Sequence, residues 1–110
     1  MDESIVVFVS VGSEEESLSI ARALVDERLA ACVNLIPQVR SIYRWEGEIC
    51  DEPECYLIIK TRQKLFQALE EKIRVLHSYD VPEIIALPVV EGLSSYLEWI
   101  HKETQSPLPP

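Results

Sequence analysis

Cysteine and glycine are scarce in this sequence, and their scarcity excludes several kinds of site. Among 110 residues there are three cysteines, an odd number without a CxxC pair, so we expect no disulfide framework and assign the protein to a reducing compartment, the cytoplasm. The three glycines form no glycine-rich phosphate loop, and no nucleophile, base and orienting group stand at the spacing of a catalytic motif. We therefore predict that the protein is not an enzyme.

Positive charge is also scarce. Ten Lys and Arg residues stand against nineteen Asp and Glu, which gives a net charge of −9. This charge repels the phosphate backbone, so we expect no nucleic-acid partner, and cations are the more natural small ligands. An acidic surface also keeps many proteins dispersed, and that simpler interpretation stays open.

Long apolar runs are missing as well. The run over residues 5–11 is far shorter than a membrane span, and Asp2 and Glu3 stand where a secretory signal would carry basic residues. We expect neither a membrane anchor nor a leader.

The apolar pattern predicts a ferredoxin-like βαββαβ sandwich of the α+β class with an additional C-terminal helix, formed by one domain over residues 1–110. Ser13 and Glu16 form a capping box at the first helix, and Ser95 with Glu98 suggests a cap for the last one. Right-handed crossovers place the first and third strands side by side. The predicted strands cover residues 5–11, 31–45, 48–60 and 81–87, the helices cover residues 14–28 and 63–76 and begin again near residue 95, and residues 104–110 form a flexible tail.

The second and third strands form a long hairpin that turns at Glu46 and Gly47. Its second strand would span roughly 50 Å at about 3.3 Å per residue, whereas a compact chain of this length is roughly 34 Å across. The tip should therefore project beyond the body and be covered by other copies in a homo-oligomer. Pro37 predicts a bulge or an unpaired edge position, and Pro53 predicts a kink. The alternative is that Pro37 bends the ribbon back onto its own sheet.

Three residues are candidate metal ligands. Cys32 is either a small buried apolar residue or a thiolate ligand for copper or zinc, and His77 is the obvious second donor. Glu83 adds a carboxylate in the predicted fourth strand.

A polar cleft is a second candidate site. Lys60, Tyr79 and Glu83, together with Trp45 from a neighbouring copy, would hold a small anion or metabolite. The alternative is a simple charge pair between Lys60 and Glu83 on neighbouring strands.

Six segments, in order along nearly the whole chain, carry a resemblance to a known family. They are residues 20–25 (IARALV), 27–34 (ERLAACVN), 41–47 (SIYRWEG), 58–61 (IIKT), 81–88 (VPEIIALP) and 96–100 (YLEWI). Together they resemble the CutA, or divalent-cation tolerance, proteins. The resemblance implies a homotrimer built by sheet extension between subunits, similar to the PII signalling proteins, and a role in tolerance of divalent cations such as copper.

The resemblance also implies a set of site residues. The family's cleft corresponds here to Cys32, Trp45, Lys60, His77, Tyr79, Glu83 and Tyr96. Of these we assign Cys32, His77 and Glu83 to metal binding, and Trp45, Lys60, Tyr79 and Tyr96 to a ligand-binding cleft. Two positions depart from the family pattern, because Ser78 replaces a proline and Val9 replaces a cysteine found in some members.

The expected function is therefore a trimeric protein that binds or responds to divalent metal ions such as Cu²⁺, with no obligatory cofactor. The alternative is a PII-like signalling or scaffold trimer that binds a small metabolite or anion in clefts between subunits.

Overall fold

A computed structural model describes residues 2–104 of the chain. The described residues form four strands and three α-helices in the predicted order, so the βαββαβ arrangement and the additional helix are confirmed. The elements are β1 (Ser4–Val11), α1 (Glu14–Asp26), β2 (Cys32–Trp45), β3 (Glu48–Arg62), α2 (Phe66–Leu76), β4 (Ile84–Pro88) and α3 (Ser94–Glu103), with a 3₁₀ turn (Gln63–Leu65) before α2.

The four strands form one antiparallel sheet in the order β2-β3-β1-β4. Val7 in β1 pairs with Ile59 in β3 and with Ala86 in β4, so the first and third strands are neighbours, as predicted. Both β2 and β4 are edge strands. Among the described residues no helix is long and apolar enough to cross a membrane.

The hydrophobic core lies between one face of the sheet and helices α1 and α2. Because side chains alternate along a strand, every second residue of β1 and β3 faces these helices. The fully buried members are Val7, Val9, Val11, Leu57 and Ile59 from the sheet, Ile20 and Leu24 from α1, and Leu69 and Ile73 from α2.

The opposite face of the sheet is only partly covered. Ile85 and Leu87 in the edge strand β4 alternate with the residues that face the core, and each is 55% exposed. Helix α3 buries Ile100 away from the core cluster. Arg62, at the end of β3, donates hydrogen bonds to the hydroxyl and the carbonyl oxygen of Thr104, each at 3.0 Å, and these tie the end of α3 to the sheet.

Several predicted boundaries were wrong by a few residues. Helix α1 ends at Asp26 because Arg28 adopts a left-handed backbone conformation, with a φ of 59°. Strand β4 begins at Ile84, so Glu83 lies just before the strand. At α1 the backbone N–H of Glu16 does donate to the hydroxyl of Ser13, at 3.1 Å.

The two ends of the last helix also differ from prediction. Helix α3 begins at Ser94 without a side-chain cap, so the predicted cap of Ser95 and Glu98 was wrong. Thr104 was predicted to belong to a flexible tail, but its side chain is buried and its hydroxyl donates to the carbonyl oxygen of Ile100 at 2.7 Å. The rest of that predicted tail, residues 105–110, lies outside the described residues.

Strand β2 contains a bulge at Pro37, where the sequence predicted one. Leu35 pairs with Leu57 before the bulge, and Val39 pairs with Glu54 after it, so β2 carries one residue more than β3 across this stretch. Such an extra residue shifts every later side chain of the strand to the other face of the sheet.

The hairpin turn explains why the bulge is needed. Trp45 pairs with Glu48, which leaves a two-residue turn at Glu46 and Gly47 with positive φ at both positions, 48° and 83°. Positive φ at both central residues is the geometry that suits the twist of a hairpin. The packing of Leu35 on the core sets the register at one end of the hairpin, this turn sets it at the other end, and the two registers differ by one residue.

Pro53 does not produce the predicted kink. It pairs with Arg40 inside an unbroken β3. The pairing of β1 with β3 ends at Val11 and Cys55, so β3 has a free edge at Pro53. A strand with a free edge accommodates a proline, because the missing N–H need not face an acceptor.

The hairpin stays extended and does not fold back onto the sheet. The molecule measures 50 × 32 × 21 Å along its principal axes. Near the tip, Ile42 is 67% exposed and Ile49 is 69% exposed. The described residues therefore leave the apolar tip uncovered within one chain, as the length argument predicted.

Candidate functional site

His77 is buried at the end of α2, and the fold uses both of its ring nitrogens. Its Nε2 lies 2.7 Å from the carbonyl oxygen of Ser10, and its Nδ1 accepts a hydrogen bond from the backbone N–H of Tyr79 at 3.1 Å. This network assigns the proton to Nε2. A metal ion would have to displace one of these contacts, so His77 holds the exit loop of α2 in place.

Cys32 lies in a different part of the sheet. It is the first residue of β2 and pairs with Lys60, and its Sγ is 3.9 Å from the Oδ1 of Asn34. Ser10, the partner of His77, pairs with Tyr56. Four residues of β3, or about 13 Å at the usual rise of a strand, separate the position of Cys32 from that of His77.

The three predicted metal ligands are not brought together. Glu83 accepts a hydrogen bond of 2.5 Å from the hydroxyl of Tyr56 and does not join Cys32. Among residues 2–104, no group of three or more His, Cys, Asp and Glu side chains is arranged to hold a metal ion. A dedicated metal site made by Cys32, His77 and Glu83 of one chain does not fit this structure.

A cleft of about 720 Å³ lies between the hairpin and the segment before β4, and we call it the acidic cleft. It brings together three of the predicted site residues, Trp45, Tyr79 and Glu83, within one chain. The sequence had placed Trp45 near Glu83 only across a subunit boundary. The full lining is Ser10, Val39, Ser41, Ile42, Tyr43, Trp45, Glu54, Tyr56, Tyr79, Asp80, Val81 and Glu83.

The bulge at Pro37 decides which side chains of β2 face the acidic cleft. After the bulge, Tyr43 and Trp45 lie on the same face of the hairpin as Glu54, because residues that pair directly share a face. Without the bulge, the alternate residues of β2, which include Arg40 and Arg44, would lie on that face instead. The bulge therefore gives the cleft aromatic walls and keeps basic side chains out of it.

Two tyrosine–glutamate pairs organise the acidic cleft. The hydroxyl of Tyr79 donates to Glu54 at 2.7 Å, and the hydroxyl of Tyr56 donates to Glu83. Partial burial, followed by the neighbouring carboxylate of Glu83, raises the pKa of Tyr56 to about 12. Partial burial and then Glu54 likewise raise the pKa of Tyr79. Both phenols therefore stay protonated and act as donors at neutral pH.

The charge of the acidic cleft is negative. Glu54, Asp80 and Glu83 are among its lining residues, and no Lys or Arg is among the described residues that line it. The predicted base, Lys60, lies elsewhere and hydrogen-bonds to Asn34. A small anion, one of the ligands expected from the sequence, does not suit this charge.

Tyr96 also lies outside the acidic cleft. Its ring stacks on Trp99 within α3, with ring centroids 5.6 Å apart. Burial first, and then the nearby Cys32, raise the pKa of Tyr96. Cys32, Lys60 and Tyr96 thus belong to the other end of the sheet, so the predicted site residues separate into two groups.

Sequence reasoning missed the other lining residues of the acidic cleft, among them Tyr43, Glu54 and Tyr56. Glu54 stands in a polar stretch next to Pro53 and carried no signal of a buried carboxylate. Tyr43 lies in the hairpin, whose tip the sequence predicted to project beyond the body. The signal that could have found them is the bulge at Pro37 combined with the two-residue turn, because together they determine which residues share a face.

Comparison with known proteins gives a consistent match over this fold. The family profile described as "CutA1 divalent ion tolerance protein" matches residues 5–103. A divalent-cation tolerance protein CutA from Thermus thermophilus is 50% identical over 99 residues, which cover 90% of this chain and 96% of that protein. A solved structure of the divalent cation tolerance protein from Thermus thermophilus has a TM-score of 0.91 at 49% identity, covering 93% of this chain and 99% of the other.

Other relatives differ in length and in stated compartment. A chloroplastic CutA from Arabidopsis thaliana is 48% identical over 94% of this chain, and the chain spans 57% of that protein. A solved CutA structure from Archaeoglobus fulgidus, with a TM-score of 0.90 at 34% identity over 93% of this chain and 99% of the other, is described as periplasmic.

Proposed function

The chain belongs to the CutA1 divalent ion tolerance protein family, and from this premise we propose that it serves in divalent-cation tolerance by binding or responding to metal ions such as copper. The observation that carries the proposal is the match of residues 5–103, in sequence and in fold, to proteins named for this function. We place the protein in the cytoplasm and propose that it carries out no catalysis.

A homotrimer is part of this proposal. Support comes from apolar surface that one chain leaves open, namely the hairpin tip at Ile42 and Ile49 and the β4 residues Ile85 and Leu87. The edge strands β2 and β4 offer free backbone groups for pairing with further copies. Light scattering on the purified protein should give three times the mass of the chain, and a monomeric mass would contradict the oligomer.

Metal ligands shared between subunits reconcile the family with this structure. No three-ligand group exists among the described residues of one chain, and His77 uses both ring nitrogens in the fold. Cys32 opens an edge strand and is only partly buried, so its thiol is available to a neighbouring copy. A thiolate is a preferred ligand of copper. We therefore keep Cys32 as a proposed ligand, with the remaining donors supplied across the subunit boundary.

Calorimetric titration with Cu(II) tests this site. We expect Cys32→Ser to weaken Cu(II) binding by at least about tenfold, since a soft ligand is replaced by a hard one. Cys50→Ser is the matched control, because Cys50 is also a partly buried free cysteine of the hairpin and lies near its tip. Equal affinities in wild type and Cys32→Ser would remove Cys32 from the site.

Small-molecule binding is a second candidate function, and the acidic cleft favours it. Its volume of about 720 Å³ lies within the range of about 300–1,000 Å³ that is usual for ligand sites. A thermal-shift screen with uncharged, anionic and cationic metabolites tests this candidate, since a ligand of the folded state raises the melting temperature. No shift with any compound would count against it.

A further inference from the structure

We draw no further inference here: the strongest candidate, the acidic cleft between the hairpin and the segment before β4, opens onto the hairpin tip that the proposed homotrimer covers, and nothing in the structure shows what fills the cleft in that assembly.

Discussion

The hydroxyl of Tyr79 donates a hydrogen bond of 2.7 Å to Glu54, and this contact joins the segment before β4 to the hairpin. Gly12 leaves room for the contact, because a Cβ at this position would come within 3.1 Å of the Tyr79 hydroxyl oxygen. This pair holds Tyr79, in the segment that follows α2, in position as one wall of the acidic cleft. The same pair leads to the first of four predictions.

Removing the hydroxyl of Tyr79 should destabilise the protein. Tyr79→Phe leaves the buried carboxylate of Glu54 without its donor, which costs about 1–3 kcal/mol for an unsatisfied buried group. Chemical denaturation of wild type and variant measures this difference. Tyr96→Phe is the control, since no hydrogen bond of the Tyr96 hydroxyl occurs among the described residues, and it should change the free energy of unfolding far less. Equal losses in both variants would show that Glu54 does not depend on Tyr79.

Alkaline pH should weaken the fold through Tyr56. The folded-state pKa is raised from 10.0 to about 12, so the folded state keeps the proton more firmly than the unfolded state. The resulting stability is fully present below pH 10 and is lost as the pH rises toward 12. We expect Tyr56→Phe to show a shallower fall of unfolding free energy over this window than the wild type. An identical fall in both proteins would contradict the raised pKa.

The hairpin turn should respond in opposite directions to two substitutions. Gly47 has a φ of 83° and Glu46 has a φ of 48°. Gly47→Ala should destabilise by about 1 kcal/mol, because a Cβ disfavours this backbone conformation while no neighbouring atom obstructs it. Glu46→Asn should stabilise by a few tenths of a kcal/mol or more, since Asn-Gly is the preferred pair for such a turn. Thermal unfolding followed by circular dichroism measures both; a shift in the same direction for both would contradict the turn geometry.

Acid pH should weaken the fold through Asp2. Partial burial opposes ionisation of this carboxyl, but the backbone N–H of Lys64 and the guanidinium of Arg62 outweigh it and lower the pKa of Asp2 below 3.8. Its stabilising contribution is therefore present above about pH 4 and is lost as the pH falls through the lowered value. Asp2→Asn should reduce the pH dependence of unfolding in this acid range, as measured by urea denaturation. Glu3→Gln, at an exposed neighbouring position, should retain the wild-type dependence.

The secondary structure was largely predictable because it depends on local patterns. The β-branched run of β1 and the stepwise apolar residues of α1 predicted the elements that meet in the core, and Ser13 predicted the start of α1. Boundaries failed where backbone conformation decided them. Arg28 ended α1 in a left-handed conformation that no residue pattern signals, and Leu93 rather than Ser95 preceded α3 without a side-chain cap.

The predicted site residues show where sequence reasoning reached its limit. Trp45, Tyr79 and Glu83 were expected to lie near one another and do line one cleft, although within a single chain. Cys32 and His77 were grouped because their side chains suit the same metals. Ligand chemistry says nothing about distance, and the register of β3 keeps their positions apart.

By itself, the sequence determined the order of the elements, the projecting hairpin, the acidic charge and the family of this protein, because each depends on composition, periodicity or ordered segments that can be read along the chain. Only the tertiary structure decided which residues share a site. The packing of Leu35 and the two-residue turn after Trp45 require registers that differ by one residue, and the bulge at Pro37 absorbs the difference. That one-residue shift turns Tyr43 and Trp45 toward Glu54, because side chains alternate faces along a strand.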